Sequence, residues 1–224
     1  EYLALVRPDG TISHELTPRF PPQSQDISYG LAAFKDSDRY QYGYFENPTP
    51  GADNGEGYVG VVEDTVDFSV RGGVFTSAFL VTLTAGDSNA DIYYTTDGSE
   101  PTLNSMRYLN AISVTTTAVL RARIIEPGKI AGPVKSEYYV FLASGVRDFS
   151  SNLPLLVIDN FGQGALGDNN PTTSHVFKSS VVGLFTIQSD GRSRLVNAPD
   201  ILTRAGAKVR GISSSTYPKK GYAL

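Results

Sequence analysis

Short runs in which apolar residues alternate with polar ones recur from one end of this chain to the other, separated by Gly, Pro, Asn and Asp. That period of two is the mark of strands with one face toward a core. Glu1 to Val6 alternates, and Pro8-Asp9-Gly10 turns it into Thr11-Ile12-Ser13, a hairpin pattern. Thr17 to Gln25 carries Pro18, Pro21 and Pro22, which forbid both helix and central strand, so it reads as a surface loop. Strand character resumes at Asp26–Gly30 and again at Arg39–Phe45, where Tyr40, Tyr42 and Tyr44 fall on one face. Gly55 to Thr65 is glycine-rich and acidic with a short connecting strand, and the next boundary is expected near Val66.

From Asp67 onward the runs come at about ten-residue intervals, the spacing of an antiparallel sandwich. Asp67–Val70 reads as a strand and Arg71–Phe75 as the turn into this module; the runs within it are Ala78–Thr84, Asp91–Thr96, Ala118–Ile125 and Glu137–Leu142, with turn signals at Asp87-Ser88-Asn89, Asp97-Gly98 and Pro127-Gly128. After Ser144 the texture changes. Leu153–Ile158 is a continuous apolar run, read as a strand buried on both faces. Ser180–Ile187 and Ala207–Arg210 supply further strands, and Ala198–Arg204 is the one place that reads as a short helical turn. The fold class is therefore all-β, with antiparallel Ig/Fn3-like β-sandwich modules in tandem and little helix.

The stretch Asp91–Thr102, DIYYTTDGSEPT, is a strand entering a tight turn at Asp97-Gly98 and leaving through Glu100-Pro101. With the downstream Leu120-Arg121-Ala122 strand it resembles the Fn3-like C-terminal domain of chitobiases and β-hexosaminidases, over about Val74 to Leu142. That resemblance implies an accessory sandwich of bacterial surface proteins. EYLALVRPDG, FPPQSQDISYG and NPTPGADN, in that order, resemble the C-terminal half of a bacterial lamin-tail-like domain, whose first strands would precede Glu1. LPLLVIDNFG and the stretch from Ala207 to Leu224 resemble the opening of the spore-coat CotH kinase-like family. The expected modules are residues 1–65, partial lamin-tail-like; 66–144, chitobiase C-terminal-like; and 145–224, the start of a CotH-like region. The chain opens on Glu1 and stops at Leu224 inside a strand pattern, so it reads as a segment of a longer exported protein at the cell surface or outside the cell.

Composition narrows the chemistry. The 224 residues are 40% hydrophobic and 19% charged, ordinary for a folded protein, and the net charge of -4 is too mild for a nucleic-acid surface. With no cysteine there is no disulfide framework, thiolate metal site or thiol nucleophile. No run is long enough to span a bilayer. His14 and His175 lie far apart in polar stretches, and no nucleophile elbow is present. The five residues Gly162 to Leu166, followed by Gly167, are formally a dinucleotide-type glycine loop, but the next residues break helices and the loop reads as plain. Asp87 to Asp91 places oxygen donors at alternate positions, yet Ile92 and Gly98 stand where a calcium loop needs glycine and glutamate.

The remaining candidates are binding residues. Tyr40, Tyr42, Tyr44, Tyr93 and Tyr94 could stack on sugar rings, since a tyrosine offers a flat apolar face and a polar rim. Arg210, Lys219 and Lys220 are the basic residues of the CotH-like motif and its nucleotide-binding candidates, and the resemblance implies that one of the two lysines faces nucleotide phosphates; ATP and Mg²⁺ enter only through that resemblance, and the carboxylates for phosphoryl transfer would follow Leu224. The sequence reading is a non-catalytic structural or adhesive region whose partner is polysaccharide or another cell-surface component. The alternative is the accessory part of a CotH-like phosphotransferase.

Overall fold

The computed structural model describes residues 2–32, 41–166, 176–210 and 221–224. They are strand and connecting loop, apart from one 3-10 turn at Ser144–Val146. The chain divides into two compact units, residues 1–63 with 126–131, and residues 64–125 with 132–224.

In the first unit β1 (Leu3–Val6) and β2 (Ile12–Leu16) form the expected hairpin, with a bulge between Leu5 and Val6. Its turn is closed by Asp9, whose carboxylate accepts the Thr11 N–H at 2.9 Å and the Thr11 hydroxyl at 2.6 Å, while Gly10 takes φ 83°. Strands β3 (Ser28–Ala32) and β4 (Gln41–Phe45) pair antiparallel, with Tyr29 opposite Tyr44 and Leu31 opposite Tyr42. Alternation sends these four to one face and buries Ala32, Gly43 and Phe45 on the other. Against that buried face lies the segment around Gly57, where a Cβ would stand 2.7 Å from Ala32 Cβ and 3.1 Å from Gly43 Cα. Only glycine permits this approach. The NPTPG loop is anchored by Asn54, which accepts from the Thr49 hydroxyl at 2.8 Å and donates to the Leu31 carbonyl at 2.9 Å. Strand β5 (Gly60–Val61) completes the run.

The second unit opens with β6 (Asp67–Phe68), β7 (Gly73–Phe75), β8 (Phe79–Val81), β9 (Leu83–Thr84), β10 (Ile92–Thr95), β11 (Met106–Arg107), β12 (Ile112–Val114) and β13 (Ala118–Ile124). Residues 126–131 then belong to the first unit, where β14 (Lys129–Ile130) pairs in parallel with β5. Strand β15 (Lys135–Phe141) returns to a five-stranded sheet of order β11-β10-β13-β15-β7. The pairs β6–β9 and β8–β12 supply the facing layer. The two layers meet through aromatic rings: Phe79 of β8 lies 4.2 Å from Phe75 and 5.3 Å from Tyr139, centre to centre. Between them Leu120, Ala122, Ile124 and Tyr139 are buried from one side and Val66, Val81 and Leu83 from the other. The all-β sandwich class is thus what the chain adopts.

Following β16 (Ser150–Ser151), which pairs with β19 (Ser193–Arg194), the chain builds an antiparallel sheet of order β17-β18-β20-β21. Its strands are β17 (Leu155–Asp159), β18 (Lys178–Phe185), β20 (Ile201–Arg210) and β21 (Gly221–Ala223). Two expectations are corrected here. The apolar run Leu153–Ile158 is an edge strand with Leu153 66% and Leu156 53% exposed, because it pairs on one side only. The strand buried on both faces is β18, whose Val181, Val182 and Phe185 are covered. Ala198–Arg204 is not helical: from Ile201 it is in β20, where seven residues pair with β18 and cross-strand pairing overrides the local pattern. Strands β11 and β12 have no counterpart in the sequence reading.

Tyr139 is fully buried and donates its hydroxyl hydrogen to the Val70 carbonyl at 2.7 Å. Burial, with Glu137 nearby, pushes that hydroxyl's pKa far above its ordinary value. Replacing it with Phe leaves the half-buried Val70 carbonyl without this donor and is expected to cost about 1–3 kcal/mol. Ala is expected to cost about 3–5 kcal/mol through the cavity it leaves. Denaturant midpoints measure both, and an Ala variant within about 1 kcal/mol of wild type would show that Tyr139 does not join the layers.

Candidate functional site

The period of two in β4 does place Tyr42 and Tyr44 together, and the register adds Tyr29 from β3. Tyr29 stacks on Tyr42 at 5.5 Å and 12°, and meets Tyr44 edge-on at 4.9 Å and 60°. Phe20 from the proline-rich loop stands edge-on to Tyr29 at 6.3 Å. The Tyr42 hydroxyl meets His14 Nε2, and Tyr44 donates to the Pro22 carbonyl at 3.4 Å. The cluster therefore ties the loop and the hairpin to the β3–β4 pair. Its rings remain half-exposed, and desolvation together with Tyr44 and Tyr42 raises the Tyr29 hydroxyl pKa. A groove of about 280 Å³ adjoins Tyr29 and is walled by Pro48, Thr49, Pro50 and Asn54. Tyr29 could have been found from sequence only by fixing the β3–β4 register.

Tyr40 lies outside the described residues. Tyr93 and Tyr94 are neighbours in β10 and so point to opposite faces. Tyr94 shares the core-facing side with Ile92 and meets Tyr108 edge-on at 6.5 Å. Tyr93 faces outward, paired across to Arg107 and Arg123. These two do not form one platform.

Arg210 ends β20 opposite Gly221, and Lys219 and Lys220, like His175 and Gly167, lie outside the described residues. The glycine loop is arranged opposite to a phosphate cradle. Lys178 Nζ donates to the carbonyls of Gln163 at 3.0 Å and Ala165 at 2.7 Å, so these carbonyls face a cation where a pyrophosphate needs N–H donors. At the Asp87 loop, Asp87 accepts the Asn89 N–H at 2.9 Å and Asp64 accepts the Asp87 N–H at 3.1 Å. Among the described residues no group of three or more His, Asp or Glu is placed to hold a metal, and no helix is long and apolar enough to cross a membrane.

The DGSEPT turn is tied to the second unit by a set of side-chain hydrogen bonds and an ion pair. Asp97 accepts the Ser99 N–H at 2.9 Å and the Ser99 hydroxyl at 2.6 Å, and Gly98 supplies φ 79°. The Thr95 hydroxyl donates to the Ser99 carbonyl at 2.6 Å. These bonds fold the turn back over the outer face of β13, where Asp97 bridges to Val119. Arg121 donates to the Gly98 carbonyl at 3.1 Å; Arg123 pairs with Glu100 at 2.9 Å and donates to the Gly132 carbonyl at 2.9 Å. Pro101 is fully buried beneath. Arg121 Nε is the buried side-chain nitrogen left without a partner among the described residues.

Residues 70–136 match the family model of the chitobiase/beta-hexosaminidase C-terminal domain. The match runs from the approach to β7 into β15 and contains the whole turn with both arginines. No curated protein and no solved structure matches the chain. In the matched segment the polar chemistry of the turn is internal: its carboxylates, hydroxyls and guanidinium groups bond one another or the backbone.

The Ser99 hydroxyl and N–H hold the Asp97 carboxyl below the usual carboxylate range. A lowered folded-state pKa contributes stability that is present above the unfolded value, about 3.9, and is lost as pH falls through the folded one. Asp97→Asn is therefore expected to melt below wild type near neutral pH, with the gap closing below about pH 4. Melting curves across pH measure it; a gap independent of pH would show that the Asp97 charge does not stabilise the turn.

Proposed function

We propose that this chain is a non-catalytic β-sandwich region of an exported bacterial protein that contacts polysaccharide at the cell surface. The observation that carries the reading is the match of residues 70–136 to a chitobiase-type C-terminal domain, on a sandwich whose signature polar groups hold the fold together. Modules at 1–65, 66–144 and 145–224, the first lamin-tail-like and the last CotH-like, are the organisation we favour on resemblance. The Asn54 anchor of the NPTPG loop supports treating that motif as structural. The phosphotransferase alternative rests on resemblance alone, since two of its three basic residues lie outside the described part of the chain.

The first contact surface is the half-exposed cluster of Tyr29, Tyr42 and Tyr44. Aromatic faces bind the C–H face of sugars, and removal of two rings is expected to weaken retention on insoluble chitin or cellulose by about tenfold. The experiment is a pull-down of the full chain against Tyr42→Ala/Tyr44→Ala, with melting curves to confirm folding. Equal retention of both proteins would exclude the tyrosine face, and no retention of wild type on either polymer would exclude the function.

A further inference from the structure

A groove of about 520 Å³ on the second unit is lined by Thr115–Thr117 before β13, Phe141 at the end of β15, and Asp159 and Phe161 at the end of β17. A second groove, about 240 Å³, shares Thr115–Thr117 and continues past Ser113 to Thr96. The Thr115–Thr117 segment borders both grooves. The larger of them, an open trough, falls within the roughly 300–1,000 Å³ of ordinary ligand sites.

The lining selects a ligand chemistry. Among the described residues no Lys, Arg or His lines either groove, and Asp159 opposes an anion, so the described lining offers phosphorylated or sulfated ligands no counter-charge. Phe141 and Phe161 offer flat apolar surface. Thr115 and Thr116 are exposed and their hydroxyls make no hydrogen bond among the described residues. A hydroxyl both donates and accepts, and a carboxylate accepts from several donors at once. Aromatic surface beside unpaired hydroxyls and one carboxylate complements a neutral, many-hydroxyl molecule with an apolar C–H face. Phe161 is held at the groove by its N–H, which donates to Asp159 at 2.8 Å, and it sits at φ 55°, where a bulky side chain is rare.

We propose that this trough is a second saccharide subsite, which takes a stretch of neutral polysaccharide over Phe161 with Asp159 and the Thr115–Thr116 hydroxyls bonding its hydroxyl groups. The proposal rests on the reading that the chain contacts polysaccharide, and it is independent of the tyrosine face.

The test is isothermal titration of the full chain with chitohexaose, cellohexaose and, as a charged control, heparin. Phe161→Gly removes the ring at a position whose φ suits glycine, so it is expected to melt no lower than wild type while binding the neutral hexamer at least about tenfold more weakly. Thr115→Ala/Thr116→Ala, at two exposed positions, is expected to lose affinity several-fold and decides the matter if Phe161→Gly does not fold. Wild-type binding that both variants retain would overturn the subsite while leaving the broader function standing. Failure of wild type to bind either neutral hexamer would overturn both. Tighter binding of heparin than of the neutral sugars would overturn the ligand class.

Discussion

Strand β13 runs through the centre of the five-stranded sheet, and its outward residues Arg121 and Arg123 are held by the turn that leaves β10. That turn is long enough to fold over the sheet because Gly98 reverses the chain and Asp97 closes the reversal locally. Gly98 then lies on Val119, the Gly98 carbonyl accepts Arg121, and Glu100 reaches Arg123. Without the turn, β13 would present two guanidinium groups and Val119 to solvent on a strand whose other face carries Leu120, Ala122 and Ile124 into the core. The register of β13 decides which residues enter that core, since a slip of one residue exchanges the faces. The arginine contacts and the buried leucine and isoleucine therefore specify the same register from opposite sides of the sheet.

This arrangement explains which parts of the fold were legible in the sequence. Alternating runs with their own turn residues, such as the β1–β2 hairpin around Asp9-Gly10 and β10 before Asp97-Gly98, carry their structure locally. Strands whose existence depends on a distant partner do not. β11 and β12 are short, and β20 begins in a stretch whose residues read as a helical turn until the ladder with β18 is formed. The run Leu153–Ile158 failed differently: its composition is that of a central strand, but burial on both faces depends on position in the sheet, and β17 occupies an edge.

The candidate sites divide along the same line. Tyr42 and Tyr44 share a face because one strand sets both, whereas Tyr29 joins them only through register. Tyr93 and Tyr94 are adjacent in β10, and adjacency in a strand is what sends them to opposite faces. The trough on the second unit gathers residues from the ends of β12, β15 and β17, and no local sequence pattern could have assembled it.

The account makes the signature turn a structural device and leaves saccharide contact to other surfaces. A single pair of measurements on Arg121→Met/Arg123→Met tests that division, because Met preserves the apolar stems and removes the donors. The account requires a loss of stability of about 2–4 kcal/mol in denaturant unfolding, from carbonyls left unpaired at Gly98 and Gly132, with retention on polysaccharide unchanged for the folded protein. Unchanged stability together with lost retention would contradict it, and would move the binding surface onto the turn itself.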